Sequence, residues 1–349
     1  MPAAVRRKTK QPRAKAAYAA AGVDVELGNR LKGTIQDAVR ATHGPNVLGR
    51  IGAFGGFFRA AFPGMRDPVL VSSIDGVGTK LKLAFALNSH ESVARDLVNH
   101  CVNDIAVTGA RPLFFLDYIG SEKLEPPVFK ALLRGFSRAC RESGCALIGG
   151  ETAQLPDMYH SGEYDLAGCI VGVVDRAKII DGSAIAPGDV IIGLESDGLH
   201  TNGYTLARKV LFGKLKLGYD ERLPGTKLPL GRELLRVHRS YLAQIQGQPA
   251  GAIKGAAHIT GGGLIDNLPR ILPKDCDATI DCSSWKVPAI FDVIQAGGNV
   301  DADEMYRVFN MGIGMTLIVS KRRAIAIAKA VRGRIIGRVE SGSGQVLLR

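Results

Sequence analysis

Two short apolar runs each end on glycine and a carboxylate, and this repetition constrains the fold more than any other feature. Val69 to Ile74 leads into Asp75-Gly76-Val77-Gly78-Thr79-Lys80, and Cys145 to Ile148 leads into Gly149-Gly150-Glu151-Thr152. A short apolar run bounded by glycine reads as a buried strand, and glycine lets the backbone turn sharply out of it. A helical pattern follows the first run at Leu81 to Leu87, and another precedes the second at Pro126 to Ser143. Strands interleaved with helices in this way predict mixed α/β or α+β layers.

The chemistry at these strand ends suits a nucleotide phosphate. Glycine backbone N–H groups can approach oxygens, Lys80 brings positive charge, and a carboxylate can hold Mg²⁺. The P-loop spacing G-x-x-x-x-G-K-[ST] does not occur; a glycine-rich turn with a surface lysine is the plain alternative. Two acid-bearing strand ends, at Asp75 and Glu151, could converge on one phosphate–Mg²⁺ site. Glu91 to Thr108 reads as a helix carrying Asn103 and Asp104 in an apolar stretch. Polar groups there need partners, which makes Asp104 a candidate metal ligand.

Downstream, Ser196 to Gly203 is a polar loop opening a helix at Tyr204 to Leu211, with His200 placed as an acid, base, donor or simple cap-region residue. Thr260-Gly261-Gly262-Gly263 again feeds glycines into a helix, to wrap a phosphate or to pack closely. Glu233 to Ile245 reads as one continuous helix, and Gly49 to Phe62 as a segment containing a strand. Turn chemistry near Asp175 to Asp189 marks a boundary. It divides the chain into a basic disordered tail at 1–17, an N-terminal domain at 18–174 and a C-terminal α/β domain at 175–349.

At 349 residues the chain has room for two domains, and its net charge of +12 suits an anionic substrate. Part of that charge lies in Arg6, Arg7, Lys8, Lys10, Arg13 and Lys15. Such a segment reads as a solvated tail before a targeting peptide or a nucleic-acid arm; a nucleic-acid partner is not expected. No run of about 18 apolar residues suggests a membrane span. Six cysteines without a C-x-x-C pair argue against zinc and for reduced thiols, hence a cytoplasmic setting.

Eight motifs occur in order: Tyr18-x-x-x-Gly22-Val23-Asp24, Asp75 to Lys80, Val102 to Ile105, Pro112 to Tyr118, Gly149 to Ala153, His200 to Tyr204, Thr260 to Gly263, and Phe309-Asn310-x-Gly312-x-Gly314-Met315. Together, from about Tyr18 to Val339, the chain resembles the phosphoribosylformylglycinamidine cyclo-ligase (aminoimidazole ribonucleotide synthetase) family. The resemblance implies ATP-dependent ring closure of formylglycinamidine ribonucleotide, through an iminophosphate, to aminoimidazole ribonucleotide, ADP and phosphate. It implies two domains, the N-terminal sheets pairing into a homodimer, with ATP and Mg²⁺ bound in the N-terminal half.

On the matching positions, His200, Asp75 and Lys80 become the expected catalytic residues. Gly76, Gly78, Thr79, Lys80, Gly149 and Gly150 would contact ATP phosphates. His200, Asn202, Gly261, Gly262 and Gly263 would face the substrate, and Asp75, Asp104 and Glu151 would hold the metal. One departure stands out: the family's tyrosine is often followed by a lysine and an acid, where this chain has Ala19 and Ala20. Formylglycinamidine ribonucleotide synthetase, selenophosphate synthetase and thiamine-monophosphate kinase share the scaffold but match the motif wording less well. A catalytically silent nucleotide-binding protein with a basic arm is the reading from another class.

Overall fold

A computed structural model of the chain describes residues 25–49 and 54–349. The basic tail, Tyr18 to Asp24 and the alanine pair lie outside them. Helices α1 (Val25–Thr34) and α2 (Gln36–Arg40) lead into the first domain. It then runs β1 (Pro68–Gly76), α3 (Leu81–Ala86), α4 (Glu91–Ala106), β2 (Arg111–Ser121), α5 (Pro126–Glu142), β3 (Ala146–Gln154) and β4 (Tyr164–Asp175). The four strands form one sheet in the order β1-β4-β2-β3, antiparallel except for β2 and β3.

One face of this sheet carries α4 and α5. Phe115, Ile119 and Ile170 point from the strands into a core shared with Leu97, Cys101 and Phe136 of the helices, all 0–1% exposed. Burial of this kind contributes about 25 cal/mol per Å² of apolar surface removed from water. Alternation along the strands sends Leu70, Ile74, Leu116 and Val171 to the opposite face. Leu70 and Ile74 are 61% and 71% exposed there.

The second domain follows with β5 (Val190–Glu195), α6 (Tyr204–Arg208), α7 (Leu230–Leu234), α8 (Leu242–Gln246), β6 (Ile253–His258), α9 (Gly263–Asn267), β7 (Cys276–Ile280), α10 (Ala289–Gly298), α11 (Ala302–Val308), β8 (Ile313–Val319), α12 (Ala324–Val331), β9 (Arg334–Ser341) and β10 (Val346–Leu348). Its sheet runs β10-β7-β9-β5-β8-β6. The mixed α+β, two-sheet architecture is the one expected. Among the described residues no helix is long and apolar enough to cross a membrane.

Two expectations fail locally. No strand forms in the described part of Gly49 to Phe62, where only an isolated bridge joins Val47 and Phe58. Glu233 to Ile245 is not one helix: α7 ends at Leu234 and α8 starts at Leu242. The backbone between them is taken by side chains of the first domain. Asp96 accepts from His238 N–H at 2.7 Å, and Asn103 accepts from Tyr241 N–H at 2.8 Å while donating to Arg239 O at 2.8 Å. Asn99 donates to His238 O at 2.7 Å. Asp96, Asn99 and Asn103 recur at three- and four-residue spacing, so they share one stripe of α4. That stripe stitches the two domains together.

Candidate active site at the domain seam

The turn after β1 opens on a cleft of about 370 Å³ whose lining includes Asp75, Gly76, Gly78, His100, Thr201 and Asn202. Asp75 and Ser73 project from β1 toward α4, and the Ser196-to-Gly203 loop closes the other side. Gly78 sits at φ +68°, where a side chain would be strained. The structure thus brings together Asp75, Gly76, Gly78 and Asn202 from the sequence-derived set. Gly261 is beside them, since a Cβ on it would lie 3.4 Å from Asn202 Oδ1.

A chain of polar contacts runs behind the cleft. His100 Nε2 meets Asp75 Oδ2 at 2.7 Å, and His100 Nδ1 meets Thr201 Oγ1 at 2.8 Å. Thr201 Oγ1 contacts His238 Nδ1 at 3.3 Å, and His238 Nε2 meets His258 Nε2 at 2.9 Å. His258 Nδ1 then meets Asp104 Oδ1 at 2.8 Å, and Asp104 Oδ2 accepts from Ser73 Oγ at 3.0 Å. Burial alone would lower the His100 pKa, but the Asp75 hydrogen bond and the charges of Asp104 and Asp75 outweigh it and raise it. Burial pushes Asp75 and Asp104 upward, yet their histidine partners hold both below the usual carboxylate value.

Several expected residues stand elsewhere. Lys80 is turned away from the cleft: it is fully buried, with Nζ 2.7 Å from Asp96 Oδ2, 2.9 Å from His200 O and 2.7 Å from Arg236 O. An ammonium held on three sides by buried oxygens has nothing to offer the cleft. His200 is 1% exposed and stacks on His238 at 4.0 Å, so its ring lies behind the Thr201–Asn202 loop. Burial first, then the nearby positive groups, drives its pKa well below the ordinary histidine value, leaving it neutral.

Glu151 is the third. Asp75 pairs with Gly168, Gly168 with Asp117, and Asp117 with Gly150. Three strand spacings separate β1 from β3, about 14 Å, and Glu151 points to the other face. The carboxylates Asp75, Asp104 and Glu151 therefore do not converge within one chain, and a Mg²⁺ site built from those three does not fit. Gly149 and Gly150 lie on that same distant strand. At Gly150 a Cβ would come 2.4 Å from the Asp117 carbonyl oxygen, so this glycine serves close strand packing. Thr79 contacts Thr205 at 2.9 Å. Gly262 and Gly263 adopt positive φ, and a Cβ on Gly263 would meet Tyr306 O at 1.8 Å, so packing explains them too.

Sequence reasoning passed over His100, Thr201, His238 and His258. His100 had a usable signal, lying four residues before Asp104 on one helix face. His238 had none, because its segment reads as ordinary helix.

Fold and site together define a two-domain protein of the AIR synthase type. Residues 60–174 match the family described as AIR synthase related protein, N-terminal domain, and residues 186–348 match its C-terminal domain. Among curated proteins, the phosphoribosylformylglycinamidine cyclo-ligase of Syntrophotalea carbinolica is 51% identical over 320 residues, 91% of each chain. That of Geobacillus kaustophilus is 48% identical over 334 residues, 94% of this chain and 96% of its own. The chain belongs to the phosphoribosylformylglycinamidine cyclo-ligase family. Among solved structures, hydrogenase maturation protein HypE in complex with ATP superposes with a TM-score of 0.68 at 18% identity, over 95% of this chain and 93% of HypE. Thiamine-monophosphate kinase from Stenotrophomonas maltophilia gives 0.65 at 18% identity, over 90% and 95%. These two share the fold.

Proposed function

We propose that this chain closes the imidazole ring of formylglycinamidine ribonucleotide at the expense of ATP, releasing aminoimidazole ribonucleotide, ADP and phosphate. The observation that carries the reading is identity near 50% to named cyclo-ligases over nine-tenths of both lengths. An amide oxygen leaves poorly; phosphoryl transfer to the formyl oxygen turns it into phosphate. The amidine nitrogen can then attack that carbon and expel it. Such chemistry needs positioning and charge neutralisation more than covalent help.

In this reading the Gly76 and Gly78 backbone faces phosphate oxygens, Asn202 hydrogen-bonds the substrate, and Asp75 supplies the carboxylate of the cleft. His200 and Lys80 fix the Asn202 loop from inside. ATP would enter as its Mg²⁺ complex, the dication travelling with the phosphates. The exposed apolar sheet face carrying Leu70 and Ile74 fits a second copy of the same face, giving a homodimer. A cytoplasmic setting accords with the unpaired cysteines.

The test is an assay with ATP, Mg²⁺ and formylglycinamidine ribonucleotide that follows ADP and aminoimidazole ribonucleotide together. Equal formation of both is expected; ADP without ring product would sink the reading. Asp75→Asn should cut turnover by about a hundredfold or more with an unchanged circular dichroism spectrum. Full activity in that variant would remove Asp75 from the chemistry.

A further inference from the structure

Charge is unevenly spread over the second domain. From Lys321 to Val339 the sequence carries seven cations and no carboxylate. Two of them are paired, Arg334 with Glu195 at 3.3 Å and Arg338 with Glu340 at 2.8 Å. Lys321, Arg322, Arg323, Lys329 and Arg332 are exposed and form no ion pair with a described residue. A surface that serves solubility alone mixes both signs. Five uncompensated cations in one short stretch repel one another and set up a field of a single sign.

The fold fixes these groups on one face. The turn Lys321–Arg323 runs directly into α12. Ala324, Ile327, Ala328 and Val331 are buried in a core that includes Ile192 of β5, so the opposite stripe of the helix faces outward. That stripe holds Arg322, Ile325, Ala326 and Lys329, at three- and four-residue spacing. Arg322 and Lys329 stand two turns apart, about 10 Å along the axis. Ile325 lies between them, 80% exposed. A second apolar side chain adjoins: Ile335 of β9 pairs with Ile192, which puts it on the α12 side of the sheet, and it is 44% exposed.

We infer that this face of the second domain is a docking surface for an acidic protein segment that carries an apolar residue between its carboxylates. Charge complementarity selects an anionic partner and speeds its approach. The isoleucines narrow the choice to protein. A phosphate backbone has nothing apolar to set on Ile325, and residues 321–339 offer no aromatic ring on which a base could stack. An anionic bilayer needs a broad apolar helix face to bury, and α12 presents one exposed isoleucine. The surface lies in the second domain, apart from the first-domain sheet face that carries Leu70 and Ile74, and the inference does not depend on the ring-closure reading.

The test uses the full chain and fluorescence anisotropy at low ionic strength. One labelled peptide repeats Glu-Glu-Leu-Glu-Ala; a second has Ser in place of each Leu at the same charge. A DNA duplex of random sequence and phosphatidylserine vesicles are the comparisons. The leucine peptide should bind more tightly than the serine peptide, and both should weaken as salt screens the charges. Arg322→Glu combined with Lys329→Glu should weaken both by at least about tenfold. Ile325→Ser should cost the leucine peptide about threefold and leave the serine peptide unchanged. Arg322→Ala combined with Lys329→Ala removes the charges without reversing them and covers the case in which reversal disturbs the helix. Wild-type affinity in both double variants would place the attraction elsewhere on this basic chain and overturn the surface. Equal binding of the two peptides would overturn the apolar anchor on which the choice of a protein partner rests. Tighter binding of the duplex or the vesicles, lost in the same variants, would overturn that choice in favour of nucleic acid or a lipid surface.

Discussion

Asp117 shows how much a single buried carboxyl can set. It lies on the helix-facing side of β2, 8% exposed, and burial with the nearby Glu151 charge pushes its pKa to about 7. A raised folded-state value means the folded protein binds the proton more tightly than the unfolded chain does. The stabilisation is therefore full below about pH 4 and is lost as pH rises through about 7. Asp117→Asn should raise the melting midpoint at pH 8, by about 2–4 °C for each kcal/mol recovered, and flatten the fall between about pH 4 and 7. An unchanged pH profile would show that Asp117 is not the group responsible. The motif containing this residue, Pro112 to Tyr118, was legible in the sequence; its ionisation was not, because burial comes from α5 and β3 rather than from neighbours in sequence.

The same limit appears among the elements. Strand β1, its glycine turn and helix α4 were legible because short-range periodicity determines them. Asp104 was marked as needing partners for the right reason, the cost of burying polarity, but its partner His258 lies 154 residues away. Lys80 was misplaced because its spacing after two glycines reads as a phosphate contact, while Asp96 and two carbonyls of the second domain capture it instead. The false helix at Glu233 to Ile245 has the same cause: Asp96, Asn99 and Asn103 of α4 take the backbone groups that helix would need. Asn103→Ala should therefore leave the buried Tyr241 N–H without a partner, a cost of about 1–3 kcal/mol, and free the half-buried Arg239 C=O. Urea denaturation should show that loss, and a change within 0.5 kcal/mol, about the level of an ordinary surface substitution, would show the seam to be loose.

At the scale of the whole molecule, the apolar sheet face carrying Leu70 and Ile74 is the feature on which the proposed pairing of two chains rests. Ile74→Asp places a charge in its middle and should convert a dimer to monomer in analytical ultracentrifugation, with little change in circular dichroism. A wild-type chain that sediments as a monomer at all concentrations would refute the pairing. The sheet order β1-β4-β2-β3 was not legible in the sequence, and it separates Asp75 from Glu151, two residues whose matching chemistry suggested a common site. The stitched seam has a further consequence. Four of its bonds from α4 run from side chains of one domain to the main chain of the other, at His238, Arg239 and Tyr241, and a fifth joins Asn103 Nδ2 to the His238 ring. Main-chain groups are the same whatever residue carries them. The second domain can therefore exchange the side chains of Arg239 and Tyr241 over evolutionary time without losing these bonds, whereas His238, whose ring also meets Asn103, and the three residues on α4 are not free to drift.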